Sequence, residues 1–150
     1  MPALLENKKA TFDYEILEKY EAGLELSGTE VKSLKSKHGS IRGARVIVRG
    51  GEAYVVGMDI PPYQPLNAPK LYDPARTRRL LLHKKEISRL AGAAEERGLT
   101  IIPTRVYTNN GLIKMEIALA RGKKKFEKRE KIKKRDTERE VRRELKTKMG

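Results

Sequence analysis

Asp13-Tyr14-Glu15-Ile16-Leu17-Glu18-Lys19-Tyr20-Glu21-Ala22-Gly23-Leu24-Glu25-Leu26 alternates between apolar and charged side chains. Tyr14, Ile16, Tyr20, Ala22, Leu24 and Leu26 take one parity, and Asp13, Glu15, Lys19, Glu21 and Glu25 take the other. A strand turns such a period-two pattern into one apolar face and one wetted face. The run is long for a single straight strand, and Leu17 and Glu18 break its alternation. A bend or bulge is therefore expected near Glu18 or Gly23.

Downstream, Ser27-Gly28-Thr29-Glu30 has the spacing of a capping box. A short helix should follow, with Val31 and Leu34 inward and an end near Gly39. Val46-Ile47-Val48 and Ala53-Tyr54-Val55-Val56 flank Gly50-Gly51, a tight hairpin signal. Pro61, Pro62, Pro65, Pro69 and Pro74 make 61–74 a loop, because proline lacks the amide that helices and ladders use. Leu80-Leu81-Leu82 then reads as a core strand preceded by Arg76-Thr77-Arg78-Arg79. Ile87, Leu90, Ala91 and Ala94 form a helical stripe that stops at Gly98. A last pair of strands, 99–107 and 112–120, joins around Asn109-Asn110-Gly111, and Pro103 belongs at an edge or bulge. Strands interrupted by two short helices lack the rhythm of a parallel sheet. The expected fold is mainly β, a small closed antiparallel barrel of the oligonucleotide-binding type, since closure removes exposed edges.

The chain of 150 residues carries 34 Lys and Arg against 20 Asp and Glu, a net charge of +14. Such a surplus favours a polyanionic partner. Cysteine is absent, which removes disulfides, thiolate metal sites and thiol nucleophiles, and only His38 and His83 remain for imidazole ligation. Neither a metal nor a cofactor is expected. No apolar run is long enough to span a bilayer, and Met1-Pro2-Ala3-Leu4-Leu5-Glu6 lacks a signal-peptide pattern, so the cytoplasm is the expected address. Residues 1–120 hold 19 basic and 14 acidic side chains, whereas 121–150 hold 15 and 6. Only Phe126, Ile132, Val141, Leu145 and Met149 are large and apolar in that last segment. Too little can be buried there to offset chain ordering. We read 1–120 as a folded domain and 121–150 as a disordered basic tail that a partner must order.

The densest positive run is Gly122-Lys123-Lys124-Lys125-Phe126-Glu127-Lys128-Arg129, resuming at Lys131-Ile132-Lys133-Lys134-Arg135. Phosphates would relieve its self-repulsion and release counterions. Arg76, Arg78 and Arg79 suit bidentate phosphate contact, or are ordinary surface charges beside a strand. Tyr54, Tyr63, Tyr72 and Tyr107 serve as stacking platforms or, more often for tyrosine, as packing. His83 opens the second helix, where it caps the helix, touches RNA or, least favoured, acts as an acid or base. Glu21 and Glu25 lie on the wetted face, solvated or accepting hydrogen bonds from base amino groups. No P-loop, dinucleotide fingerprint or nucleophile elbow is present.

Asn7-Lys8-Lys9-Ala10, Tyr20-Glu21-Ala22-Gly23-Leu24, Thr29-Glu30-Val31-Lys32-Ser33-Leu34, Asp73-Pro74-Ala75-Arg76-Thr77-Arg78-Arg79-Leu80-Leu81-Leu82-His83 and Ala120-Arg121-Gly122-Lys123-Lys124 together resemble the small protein B family of bacterial tmRNA-binding proteins. The resemblance runs in order from about Asn7 through Arg135. It implies an oligonucleotide-binding barrel that binds the tRNA-like domain of tmRNA, acts as a monomer in that complex and replaces a missing anticodon arm. It implies delivery of charged tmRNA to stalled ribosomes, with the elongation factor that carries aminoacyl-tRNA, and tagging of the incomplete peptide. The family's RNA contacts fall on Asn7, Glu21, Leu81, His83 and Lys114, with Arg76, Arg78, Arg79, Lys123 and Lys124 in the shared motifs. Many members carry Asn at the position of His83. Phe126, Glu127, Lys128, Arg129, Lys131, Ile132, Lys133, Lys134 and Arg135 fall in the tail, which in the family turns helical in the mRNA channel and reaches the decoding centre. Two other classes stand beside this reading. One is an RNA-cleaving enzyme using His83 and a nearby carboxylate; the other is a generic ribosomal or chromatin-like basic protein.

Overall fold

The structure, a computed structural model, describes residues 2–64 and 71–123. Pro65 and Pro69 of the proline loop, Lys124 and the tail residues Phe126 to Arg135 lie outside the described residues. The elements run β1 (Ala3–Glu6), α1 (Lys8–Asp13), β2 (Tyr14–Leu24), α2 (Gly28–Lys35), β3 (Arg45–Arg49), β4 (Glu52–Val56), β5 (Arg78–Leu81), α3 (Lys84–Ala94), β6 (Leu99–Asn109) and β7 (Leu112–Gly122). The capping box starts α2: Ser27 accepts the Glu30 amide and Glu30 accepts the Ser27 amide. Positive φ at Gly50 and Gly51, and at Asn110 and Gly111, closes the two tight hairpins. β1 and α1 have no counterpart in the sequence reading. No helix among the described residues is long and apolar enough to cross a membrane.

The strands form one antiparallel sheet in the order β1-β6-β7-β2-β5-β4-β3. The expected closed barrel is not formed. β3 lies against β6, but no ladder joins them, so the described sheet ends at β1 and β3. α2 contributes Leu34, and α3 Leu90 and Ala93, to a core that includes Ala22, Val55, Leu80, Met115 and Ile117.

Two bulges decide which side chains look outward. The register of β2 shifts between Ile16 and Glu18, and that of β6 between Pro103 and Arg105. An extra residue reverses the facing of everything beyond it. Tyr14 and Ile16 therefore pack with Ala10, Ile102, Ala118 and Ala120 beneath α1, while Tyr20 and Leu24 join the main core. The single apolar face expected for 14–26 is thus two faces, exchanged at Leu17. α1 covers one end of the outer surface and leaves the end around Lys114 open.

β5 holds the largest departure from expectation. Arg78, expected on the surface as an RNA contact, is completely buried. Its guanidinium meets Glu30 Oε2 at 2.6 Å and donates to the carbonyls of Met58, Arg76 and Pro74 at 2.8, 3.0 and 2.9 Å. Arg76 pairs with the same carboxylate from the half-exposed side. Burial pushes the Glu30 carboxyl up, but Arg76, the Ser27 amide and Arg78 outweigh it and leave it below its ordinary range. A lowered carboxyl stabilises the fold above its unfolded value, and that contribution disappears as the pH falls through the folded one. Glu30→Ala, which strands Arg78 without an anion, should cost about 3–5 kcal/mol in urea unfolding at neutral pH. It should also remove the part of the acid-side loss of stability that Glu30 supplies.

Candidate nucleic-acid interface

On the open end of the outer surface, one row crosses four strands. Tyr107 of β6 pairs with Lys114 of β7, Lys114 with Gly23 of β2, and Gly23 with Leu81 of β5. Gly23 leaves this row low. A Cβ there would come within 3.1 Å of the Leu81 Cβ. The result is a recess of about 360 Å³ whose lining includes Glu21, Arg79, Leu81, His83, Glu86 and Lys114. Five residues selected from the sequence, namely Glu21, Arg79, Leu81, His83 and Lys114, therefore meet at one place. Leu81, which its sequence pattern assigns to the core, is 48% exposed; Leu80 fills the core instead.

The recess mixes charges. Arg79 donates to Glu52 at 3.0 Å and reaches Glu25 at 3.5 Å, and these neighbours raise its already high pKa. Glu86 accepts the His83 backbone N–H at 3.0 Å and so caps α3. That use occupies the carboxylate closest in sequence to His83. Tyr107 donates its hydroxyl to Glu21 Oε2 at 2.5 Å, and Asn109 Nδ2 lies 3.5 Å from Oε1. Burial and the Glu21 carboxylate push the Tyr107 phenol up to about 12. Arg105 sits 4.6 Å above the Tyr107 ring, so that ring is packed rather than free to stack. Tyr72 likewise gives its hydroxyl to the Ile60 carbonyl, leaving Tyr63 as the exposed tyrosine among the stacking candidates. Fixed acceptors, cations and an exposed leucine suit base edges and faces better than they suit a bare phosphate chain.

The remaining candidates lie elsewhere. Asn7 caps α1 by accepting the Ala10 amide and donates to the Ile41 and Pro103 carbonyls at 3.3 and 3.2 Å, which ties α1 to the β6 bulge. Lys123 donates to the Thr11 carbonyl at 3.1 Å. Arg76 remains on Glu30 and the Glu25 carbonyl. Sequence reasoning missed Glu52 and Glu86 as parts of the recess, and Asn109 as a partner of Glu21. Glu86 stands three residues after His83, a spacing that signals a cap.

The family model described as SmpB protein matches residues 4–147. An SsrA-binding protein of Thermosipho melanesiensis is 53% identical over 149 residues, covering 97% of this chain and 99% of its own. One from a Sulfurihydrogenibium species is 52% identical, covering 95% and 93% respectively. A solved structure described as "tmRNA-SmpB: a journey to the center of the bacterial ribosome" is 46% identical, with a TM-score of 0.68 over 83% of this chain and 87% of that one.

The neighbours Leu80 and Leu81 offer an internal control. Leu80→Ala should cost about 2–5 kcal/mol, the range for an emptied core site. Leu81→Ala should cost less than about 1 kcal/mol, because much of that side chain is already in water. Urea unfolding of the two variants checks this, and equal losses would return Leu81 to the core.

Proposed function

Because the chain belongs to the SmpB protein family, we propose that it binds the tRNA-like domain of tmRNA and delivers it to stalled ribosomes for trans-translation. The ribosome is rescued and the incomplete peptide is tagged for proteolysis. The observation that carries this reading is the meeting of Glu21, Arg79, Leu81, His83 and Lys114 at one recess of a strongly basic chain. Loop bases of the RNA enter the recess. Leu81 offers an apolar platform, Glu21 accepts from base N–H groups, and Arg79, His83 and Lys114 donate to bases or phosphates. Arg78 and Asn7 serve from inside, the first by fixing β5 and the second by joining α1 to β6. The core is read as an oligonucleotide-binding-type fold left partly open, with the outer face of the sheet toward RNA.

In sequence, Lys123 and Lys124 open the basic run of the tail. The tail's fifteen basic and six acidic side chains suit an RNA-walled channel. As a helix, the 27 residues from 124 to 150 would reach about 40 Å at ~1.5 Å each. Lys128, Arg129 and the run to Arg135 then probe an mRNA channel left empty, from the decoding centre onward. The elongation factor joins through tmRNA, one copy of the chain acts per complex, no chemistry is catalysed, and the setting is the cytoplasm.

A chain ending at Lys123 tests the division of labour. It preserves β7 to Gly122 and the hydrogen bond that the Lys123 backbone N–H donates to the Asp13 carbonyl. It should still prefer the tRNA-like domain over duplex RNA of equal length. The slope of log affinity against log salt should flatten by roughly 0.9 for each duplex phosphate that the shortened chain leaves unneutralised. Peptide tagging on ribosomes stalled without downstream mRNA should vanish. Loss of the RNA preference would move specificity out of the core and favour a generic basic protein, and normal tagging would overturn the role of the tail.

A further inference from the structure

We infer that Tyr107 and Asn109 are positioning residues that hold the Glu21 carboxylate in the recess to receive a guanine base edge. The inference rests on the RNA-binding reading given above. Glu21 stands on β2, whereas Tyr107 and Asn109 stand on β6, with β7 between them. The Tyr107 hydroxyl spans β7 to reach Glu21 Oε2, and the Asn109 amide approaches Oε1. Each carboxylate oxygen thus has one protein donor, which restrains an otherwise free-rotating exposed side chain. Tyr107 is itself immobilised. Its residue is 4% exposed and Arg105 lies across its ring. The phenol remains a neutral donor throughout the working pH range, because its pKa is pushed up to about 12.

A carboxylate has about four acceptor positions and no donor when ionised. Two positions are taken here, so the ones left free accept from the ligand. The best planar partner for two neighbouring acceptors offers two parallel N–H donors. Among the four RNA bases only guanine presents adjacent N1–H and N2–H groups on its Watson–Crick edge. Adenine and cytosine set one amino donor beside an acceptor, and uracil sets one N–H between two carbonyls. Such an edge is available only in an unpaired loop, which is where RNA is read by sequence.

The test uses the full-length chain, tmRNA and filter binding across a salt series. Wild type against a duplex of equal length first checks that the RNA-binding reading itself stands. Tyr107→Phe should weaken tmRNA binding by about 10–150-fold, the worth of one hydrogen bond to a charged group. It should do so without changing the salt slope, since the same phosphates are neutralised. On a Glu21→Gln background, the same Tyr107→Phe change should cost less than about twofold, because the carboxylate it serves is gone. Replacing loop guanosines one at a time by inosine, which lacks N2, should identify one position that weakens wild type but not Glu21→Gln. The inference is overturned if Tyr107→Phe binds as wild type does, if its loss is equal on both backgrounds, or if no inosine position depends on Glu21. A merely structural tyrosine would lower affinity on both backgrounds alike.

Discussion

A guanidinium keeps its charge at every working pH, so a protein that buries one must bring it an anion and a full set of acceptors. Arg78 is that residue here, and the pieces that satisfy it come from separate parts of the chain. Glu30 arrives at the start of α2, already held by Ser27. The Met58 carbonyl comes from the segment after β4, and Pro74 and Arg76 from the end of the proline loop. Once Arg78 points inward, the pleat of β5 sends Leu80 inward and Arg79 and Leu81 outward. An exposed leucine beside an exposed arginine is therefore a consequence of where the buried charge sits. The recess depends on a residue that does not line it.

The dependence explains which parts of the molecule were legible in the sequence. Period-two alternation, the Ser27-x-x-Glu30 spacing, the Gly50-Gly51 turn and the Ile87-to-Ala94 stripe are local signals, and each led to the right kind of element. The register selects a bulge beside Glu18 and one beside Pro103. A bend or bulge near Glu18 or Gly23, and an edge or bulge at Pro103, were legible as alternatives, because pattern breaks and a missing amide are local. Which face each half of β2 presents was not, since that depends on register with β7. β1 and α1 were missed because both are short and draw their order from partners, with Asn7 reaching carbonyls at Ile41 and Pro103. Arg78 was misplaced for a stronger reason. Nothing in Arg76-Thr77-Arg78-Arg79 separates a buried arginine from its neighbours, and the carboxylate that separates it lies 48 residues away. Glu21, Leu81, His83 and Lys114 were grouped by family resemblance rather than by chemistry, and only the register of β7, β2 and β5 supplies the physical reason for their proximity.

The two bulges and α1 act as one device on the outer surface. Before the bulges, Tyr14, Ile16 and Ile102 face outward and need a cover, which α1 supplies through Ala10. Beyond them the outward positions are Glu21, Gly23, Arg105 and Tyr107, which tolerate water or hold one another through hydrogen bonds and ring contact. A strand pair without bulges would have carried apolar residues into the open end or polar ones beneath α1. The shift of one residue in each strand separates the covered half from the open half, and the site occupies the half that packing left free.

Charge is divided in a way that matches this geometry. The recess sets Glu21, Glu52 and Glu86 among Arg79 and Lys114, so its local field is close to balanced. A balanced surface gains little from phosphate neutralisation and so discriminates by the placement of donors, acceptors and an apolar contact. The surplus that attracts RNA at a distance resides elsewhere. Residues 121–150 contribute 15 basic against 6 acidic side chains, whereas the first 120 contribute 19 against 14. Attraction of that kind weakens with salt and is indifferent to sequence. Hydrogen bonds within the recess are short-ranged and depend on alignment. If the cations were concentrated in the recess, any RNA backbone would compete there for Glu21 and its neighbours. With the excess placed in the tail, the two kinds of recognition act on different parts of a ligand, and the charge that brings RNA close does not blur the site that reads it.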